Sequence, residues 1–302
     1  MQINNVHSPR LGYVYIVLAA LLWASSGSAA KFLFLGGVSP FQLVQLRSTI
    51  SAALLFLWLL AAKRSLLKIK RKDLVYFFLL GISLGATQFT YLYAISRINV
   101  AAAILLQYQA PVLIAGYALF FKRRRLSAVT LAALLGAVTG CYLMVGAYNL
   151  DILNMNRHGI LSGLACAFAF ALYSVKSEHG MRSYTPWTVV FYALFFAAVI
   201  WNVLERPLSA FSLTYSAVSW WWILFIAVFG TVIPYGLYNE GINLILPTRA
   251  SITATLEPVA AGCISFLFLG EIMEPLQITG AGLVIASVLI LQIRKDPDEP
   301  IN

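Results

Sequence analysis

Long apolar runs, separated by short polar or basic stretches, organise almost the whole chain. A helix needs about 20 apolar residues to cross the hydrocarbon core of a bilayer. Ten runs are long enough and predict ten membrane-spanning helices, at residues 11–35, 40–62, 73–96, 99–121, 127–148, 158–177, 186–205, 218–243, 249–269 and 276–294. No run alternates in polarity over roughly 10 residues, as transmembrane β-strands do. The pattern therefore predicts an all-α membrane protein.

The pattern of these runs occurs twice along the chain. Residues 99–112, NVAAAILLQYQAPV, are echoed by residues 247–259, PTRASITATLEPV. Pro111 in the first segment lies 147 residues before Pro258 in the second. Further landmarks recur at nearly the same offset, namely Gly12 with Gly159, Pro40 with Pro186, and Gly136 with Gly282. Self-similarity of this kind indicates an internal repeat.

The repeat predicts how the chain is divided. The first copy covers residues 11–148 and the second covers 158–294, with 149–157 as a linker and with 1–10 and 295–302 as terminal tails. Each copy contains five spans, and an odd number forces the second copy to enter the membrane from the opposite side. The two repeats are therefore expected to be inverted, with a site between them that alternates between inward-open and outward-open states.

Composition and charge agree with a polytopic membrane protein. The chain has 302 residues, of which 61% are hydrophobic and 11% are charged, whereas soluble domains carry about 25% charged residues. The net charge of +10 is concentrated in clusters at 63–72 and 122–125, between the spans. Basic residues beside spans face the cytoplasm and anionic lipid. We therefore expect both termini to be cytoplasmic in an inner (plasma) membrane, and no binding of nucleic acid.

Neither a metal site nor a cofactor is expected. Cys141, Cys166 and Cys263 lie inside apolar runs, without the spacing of a metal site or a disulfide framework. No GxxxxGK[ST] phosphate loop occurs in the sequence, which argues against intrinsic ATP-driven pumping.

Several short segments resemble the EamA branch of the drug/metabolite transporter superfamily. They are Trp23-Ala24-Ser25, Pro40 with Arg47, the paired Ala-rich and Pro-containing fourth and ninth spans, Leu256-Glu257-Pro258-Val259 followed by Gly270-Glu271, and Gly280-Ala281-Gly282. The resemblance extends over residues 11–294. It implies ten helices in two inverted five-helix repeats and the export of amino acids and related small metabolites. Members of that family differ widely in substrate, so the resemblance names none.

Glu257 is the sharpest candidate for function. Counted from Arg249, it lies ~12 Å into the membrane, near the midplane. A carboxylate there is unfavourable by several kcal/mol unless it is protonated, paired or facing water. It is interpreted as a proton-coupling or amine-binding group, or alternatively as a hydrogen-bonded support for the Pro258 kink. Pro111 and Pro258 are candidate hinges, and Glu240 is a candidate inner gate or interfacial charge.

Other polar and aromatic residues share this depth. Gln107 in the fourth span and Thr253 in the ninth could orient a substrate, or could bond neighbouring helices instead. Trp23 and Phe170 are related by the repeat and, with Tyr173, could form the apolar walls of a pocket. Plain helix packing is the alternative for these three aromatic residues.

Arg47 is the basic residue that lies well inside a span. Capping of backbone carbonyls or snorkelling outward is favoured for it over pairing with a carboxylate or with substrate.

The combined expectation is a secondary transporter that exports amino acids or related zwitterionic or weakly apolar compounds by alternating access. Transport of a nucleobase, a vitamin or a drug-like metabolite is the alternative. Its partners would be a small-molecule substrate, the lipid bilayer and, if Glu257 titrates, a proton gradient. The sequence is compatible with a monomer or a homodimer.

Two other classes are disfavoured. An intramembrane lipid-modifying enzyme would need a catalytic set, yet His7, His158 and His179 are scattered without matching carboxylate spacing. A non-transporting scaffold would not need polar residues at the midplane of two matched spans.

Overall fold

The computed structural model describes residues 9–149, 154–264, 266–267 and 272–293, and these contain helices and turns but no strand. The α-helices are α1 (Pro9–Leu35), α2 (Pro40–Ala62), α3 (Leu74–Arg97), α4 (Val100–Gln107), α5 (Ala110–Phe120), α6 (Ala128–Met144), α7 (Arg157–Met181), α8 (Pro186–Leu204), α9 (Ala217–Ala227), α10 (Ile233–Ala254), α11 (Leu256–Ile264) and α12 (Pro275–Ile293). Residues 1–8 of the predicted N-terminal tail, linker residues 150–153, Gly270-Glu271, Arg294 and the predicted C-terminal tail 295–302 lie outside the described residues.

Two of the predicted spans are broken near their middle. The fourth span consists of α4 and α5, separated at Tyr108 and Gln109. The ninth span consists of the end of α10 and of α11, separated at Thr255. Pro111 and Pro258 lie just beyond these breaks. A proline removes a backbone donor and clashes with the carbonyl four residues before it, which explains why both spans break there. A hinge function for the two prolines stays a prediction.

A kink inside α10 separates the eighth span from the ninth. Leu246 has φ 66° and ψ 156°, a combination that essentially only glycine adopts without strain. The following Pro247 disfavours helical backbone at Leu246. Without the kink, the 38 residues of Ala217–Ala254 would form a helix ~57 Å long, far longer than the hydrocarbon core is thick.

The number of spans follows from this kink. Eight described helical stretches are long and apolar enough to cross a membrane, and Ala128–Met144 is a shorter apolar helix. Division of Ala217–Ala254 at Leu246 adds the tenth crossing. The predicted all-α membrane protein of two inverted five-helix repeats is confirmed.

The main helix contacts have the symmetry expected of inverted repeats. The first span (α1) packs against the eighth (α10), and the third (α3) packs against the sixth (α7). Exchange of the two repeats converts the first of these pairs into the second. The second and seventh spans (α2 and α8) pack together, as do the fifth and tenth (α6 and α12). The centre of the molecule is therefore built equally by both repeats.

Side-chain contacts show which helix ends share one side of the bundle. The Tyr13 hydroxyl donates to the Leu291 carbonyl at 3.0 Å, which joins the start of α1 to the end of α12. The Tyr76 hydroxyl donates to the Lys176 carbonyl, which joins the start of α3 to the end of α7. Gly12 lies against Ile245, at the end of the eighth span. These helix ends belong to a single face.

The basic clusters occupy this same face, which we name the basic face. Residues 63–72 connect α2 to α3, and residues 122–125 connect α5 to α6. Arg124 forms a 2.6 Å ion pair with Glu178 near the end of α7. The basic face is thus the one expected to be cytoplasmic, and the orientation of the termini stays a prediction.

The outer surface of the bundle is apolar along its length. Exposed side chains include Leu57, Phe78, Leu135, Leu161 and Leu289. In water such a surface would drive aggregation, whereas in a bilayer it contacts acyl chains. The surface agrees with an integral, multi-pass membrane protein.

Two glycines allow α6 and α12 to approach closely. A Cβ atom added to Gly140 would lie 2.8 Å from the Gly280 carbonyl, and one added to Gly280 would lie 2.7 Å from the Gly140 carbonyl. Small residues permit this backbone contact between membrane helices. The contact joins the last span of one repeat to the last span of the other.

Replacement of Gly280 by Ala is expected to destabilise the protein, because the new Cβ would lie 2.5 Å from the Met144 nitrogen. Overpacking of this kind is unfavourable by about 1–3 kcal/mol, which exceeds the roughly 1 kcal/mol that Gly to Ala contributes in a helix. Thermal unfolding in detergent measures the effect. Gly282→Ala is the matched control on the same helix, since no described atom lies within 4 Å of its new Cβ. Equal or higher stability of Gly280→Ala would contradict the close approach.

Candidate functional site

A buried cavity lies at the centre of the bundle, between the two repeats. Its lining comes from seven of the ten spans: Trp23 and Ser26 of α1, Arg47 of α2, Thr87, Gln88 and Tyr91 of α3, Gln107 of α4, Phe170 of α7, Gly230 and Tyr235 of the eighth span, and Glu257 of α11. The space open to the centre of a water molecule is about 30 Å³, room for about two waters. The site is nearly closed in this state.

Four of the residues proposed from the sequence meet in this cavity. Trp23, Gln107, Phe170 and Glu257 all line it. Tyr173 and Thr253 do not. The Tyr173 ring packs against that of Tyr235, with 5.6 Å between the ring centroids. The Thr253 hydroxyl donates to the Arg249 carbonyl of its own helix at 2.8 Å. Substrate binding by these residues stays a prediction.

The proposed hinge and gate residues lie around the cavity rather than in its lining. Pro111 follows the break in the fourth span, and Pro258 directly follows the cavity residue Glu257. Glu240 lies on α10, further toward the basic face, and its side chain is partly exposed.

Glu257 connects the two broken spans. Its Oε2 atom accepts a hydrogen bond from the Tyr108 hydroxyl at 2.7 Å, and Tyr108 lies at the break between α4 and α5. Both side chains are 3% exposed. The carboxylate also lies in the first turn of α11, where the backbone N–H groups and the helix dipole favour negative charge.

The hydrogen bonds of Tyr108 suit a protonated Glu257 as well as a charged one. The Tyr108 hydroxyl is 2.8 Å from the Ala254 carbonyl in addition to its contact with Glu257. A tyrosine has one proton to donate, so it cannot fully serve both acceptors. Once protonated, Glu257 can donate to Tyr108 while Tyr108 donates to Ala254. The pair can therefore hold a proton without leaving a polar atom unsatisfied.

A π-helical segment, Val228–Val232, interrupts the eighth span beside the cavity. Such segments disturb the regular backbone ladder and are frequent at functional sites. The Thr231 hydroxyl donates to the Ile226 carbonyl at 2.8 Å. The Ser51 hydroxyl of α2 donates to the Ala227 carbonyl at 2.8 Å. Side chains thus add hydrogen bonds to backbone carbonyls beside this irregular segment.

Arg47 binds the same segment and also lines the cavity. Its Nε and Nη2 atoms donate to the Thr231 hydroxyl at 3.1 and 2.8 Å, and Nη2 donates to the Gly230 carbonyl at 3.2 Å. Contact with a backbone carbonyl is the interpretation that the sequence favoured. The Nη1 atom makes no hydrogen bond to a described residue, so two of its N–H groups remain for a ligand.

Arg47 and Glu257 line one cavity without forming an ion pair with each other. The salt bridges among the described residues join Glu178 to Arg124 and to Arg182, at the basic face. Charged groups buried in an apolar interior need a partner. The cavity therefore presents a guanidinium group and a carboxyl group to whatever occupies it.

Two further polar atoms at the cavity lack partners. The Gln88 Nε2 atom and the Tyr91 hydroxyl are buried without a hydrogen bond in the described structure. The other end of the Gln88 amide accepts from Ser48 at 2.9 Å. An unsatisfied buried polar group is unfavourable by about 1–3 kcal/mol, so these atoms indicate a place for a ligand or water.

The sequence interpretation missed Gln88, Tyr91 and Tyr235. The sequence did contain a signal for Gln88, because Thr87-Gln88 is a polar pair in the middle of an apolar run. Glu257 was found from the same kind of signal. Tyr235 carries no such signal, since an aromatic residue in a membrane span is ordinary.

The comparisons with known proteins agree with this architecture. The model of the EamA-like transporter family matches residues 10–146 and again 157–293. The chain is 28% identical over 293 residues to the uncharacterized inner membrane transporter YicL of Salmonella typhimurium, with 95% of this chain and 96% of that protein covered. It is 26% identical over 292 residues to the threonine/homoserine exporter RhtA of Escherichia coli, with 94% and 92% covered.

A solved crystal structure shares the fold, with a TM-score of 0.76, 21% sequence identity and coverage of 95% of this chain and 98% of that one. The similar sequences belong to transporters and not to enzymes. The repeated family match covers both five-helix halves and leaves only the tails and the linker outside it. The chain belongs to the EamA-like transporter family, as an integral, multi-pass membrane protein.

Proposed function

We propose that this protein is a secondary transporter of small zwitterionic amino acids. The presence of Arg47 and Glu257 in one enclosed cavity, without an ion pair between them, is the observation that carries the proposal. An α-amino acid has a carboxylate and an ammonium group a few bonds apart. The free N–H groups of Arg47 match the carboxylate, and Glu257 matches the ammonium group.

The rest of the cavity suits the side chain of such a substrate. Trp23, Phe170 and Tyr235 form an apolar wall, with 6.0 Å between the rings of Trp23 and Phe170 and 5.2 Å between those of Trp23 and Tyr235. Gln88 and Gln107 supply amides that can bond a side-chain hydroxyl. Apolar walls with a few polar groups are typical of sites that bind small molecules.

The relatives and the repeats support a direction and a mechanism of transport. RhtA is named as an exporter of threonine and homoserine, and this similarity supports export here. The cavity of about 30 Å³ is too small for an amino acid. We therefore infer that substrate enters and leaves in states in which the repeats have moved apart on one side at a time.

We further propose that Glu257 couples export to the proton gradient. In the protonated state it donates to Tyr108 and no longer attracts the substrate ammonium group. In the charged state it accepts from Tyr108 and binds that group. Proton and substrate then compete for one carboxylate, which is the requirement for exchanging one against the other.

Arg47→Gln is expected to weaken amino-acid binding by about 10- to 100-fold, since hydrogen bonds to a charged group contribute about 1.5–3 kcal/mol. Counterflow of threonine, homoserine and other amino acids into proteoliposomes measures the change. Arg182→Gln, at the exposed basic face, is the matched control and should transport normally. Arg47→Lys keeps the charge but loses the bidentate geometry, so we expect it to be intermediate. Flux of a nucleobase but of no amino acid would overturn the proposal.

Glu257→Gln is expected to abolish transport driven by a pH gradient, because an amide cannot exchange a proton. The same proteoliposomes, with and without an imposed gradient, separate driven flux from simple exchange. Glu274→Gln, which removes an exposed carboxylate outside the cavity, should keep the full response to the gradient. Full gradient-driven flux in Glu257→Gln would rule out the coupling role.

A further inference from the structure

An aromatic layer closes the central cavity on the side of the basic face. Phe170 and Tyr235 line the cavity, and Tyr238 lies one turn closer to the basic face on α10. The Tyr238 ring is 5.4 Å from Trp23 and 5.2 Å from Phe170, measured between ring centroids. Tyr173 on α7 extends the layer through its contact with Tyr235.

Behind this layer lies an unusual group of buried polar atoms. The Tyr173 hydroxyl, the Ser177 hydroxyl and both polar atoms of the Asn239 amide are buried without a well-formed hydrogen bond in the described structure, although Ser177 and Asn239 lie beside the Tyr173 side chain. All three residues are 0% exposed. They lie on α7 and α10, where those helices are joined by a 2.9 Å hydrogen bond between Ser174 and Tyr238. We name this contact between α7 and α10 the polar seam.

Polar atoms that lack a well-formed hydrogen bond are unfavourable in a closed, dry interface. A permanent apolar contact between two helices gains nothing from them. They become favourable when the helices separate and water reaches them, because each atom then has a partner. Opening the polar seam therefore costs less free energy than opening an apolar seam would.

The opposite side of the cavity differs in this state. A groove of about 720 Å³ lies there, lined among others by Ser28 of α1, Ile104 of α4, and Pro258 and Gly262 of α11. These residues continue the same three elements that carry Trp23, Gln107 and Glu257 at the cavity. The groove thus lies toward the face opposite the basic face, whereas the aromatic layer and the polar seam are packed closed.

The repeat relates the two sides. At the offset of 147 residues, Ser26 corresponds to Tyr173 and Tyr91 corresponds to Tyr238. Ser26 and Tyr91 line the cavity, whereas Tyr173 and Tyr238 are packed in the closed layer. Inverted repeats exchange conformations, so in the other state Tyr173 and Tyr238 should face the cavity.

We propose that the polar seam is the gate at the basic face, and that Tyr173, Ser177 and Asn239 line the substrate path when it opens. The proposal rests on the alternating-access transport inferred above. The three side chains supply neutral hydroxyl and amide groups, which replace water around a zwitterion without trapping it as a charged group would.

Thiol accessibility tests the proposal. Ser177→Cys, in a protein whose own three cysteines are replaced by Ala, is exposed to a membrane-impermeant methanethiosulfonate on the basic-face side of oriented vesicles. We expect modification, faster with excess threonine on that side and slower with threonine on the other. Val189→Cys is the matched control, because Val189 is also 0% exposed and lies a similar distance from the basic face, on α8. It should stay unmodified.

Asn239→Leu provides a second readout that does not depend on a cysteine. Replacement of an amide that lacks a well-formed hydrogen bond by an apolar side chain of similar size should favour the closed seam. We expect a higher melting temperature together with exchange slowed by about tenfold. A purely structural asparagine would instead lose stability on replacement.

The outcomes separate this proposal from the proposed function. If Ser177→Cys stays unmodified while the protein still exchanges amino acids, the gate lies elsewhere and transport stands; a water held permanently among the three side chains would give this result. If no amino acid is exchanged but substrate-independent modification of Ser177→Cys occurs, the gate stands and the substrate assignment fails.

Discussion

The site depends on one constraint, which is that a polar or charged atom inside an apolar bundle must find a partner. Where the backbone is irregular near the midplane, side chains bond several of its carbonyls. Thr231 and Ser51 bind the carbonyls around the π-helical segment, and Arg47 adds a third contact there. Tyr108, at the break in the fourth span, bonds the Ala254 carbonyl and Glu257 at the break in the ninth span.

The same contacts place charge where a ligand can use it. Arg47 is held by Nε and Nη2, which leaves Nη1 directed to other partners. Glu257 is held through one carboxyl oxygen. Neither charge is neutralised by the other, so the fold keeps them apart and available. The hydrogen bonds that hold one half of each group fix the position of its other half.

Much of the fold could be predicted from the sequence because the bilayer allows few solutions. Only helices satisfy the backbone within a single spanning segment, so apolar length gives the number of crossings. Because each repeat contains an odd number of spans, the second repeat must be inverted in the membrane relative to the first. The backbone kink at Leu246 was not predicted. It lets one long helical stretch, Ala217–Ala254, cross the membrane twice. The predicted boundary between 243 and 249 nevertheless falls at this kink.

The site was predictable only in part. Glu257, Gln107, Trp23 and Phe170 were found because depth along a span can be counted, and all four line the cavity. Depth does not give the direction in which a side chain points. Thr253 has the right depth, yet its hydroxyl bonds its own helix.

The sequence by itself determined the helical class, the ten crossings and the depth of each polar residue, because hydrophobic length and the rise of a helix are local properties. Only the tertiary structure decided that Arg47, which the sequence assigned to backbone contacts, shares a cavity with Glu257. It also decided that Tyr173, Ser177 and Asn239 are closed off without well-formed hydrogen bonds. Both results depend on the rotation and packing of helices from different repeats, which no local pattern in the chain records.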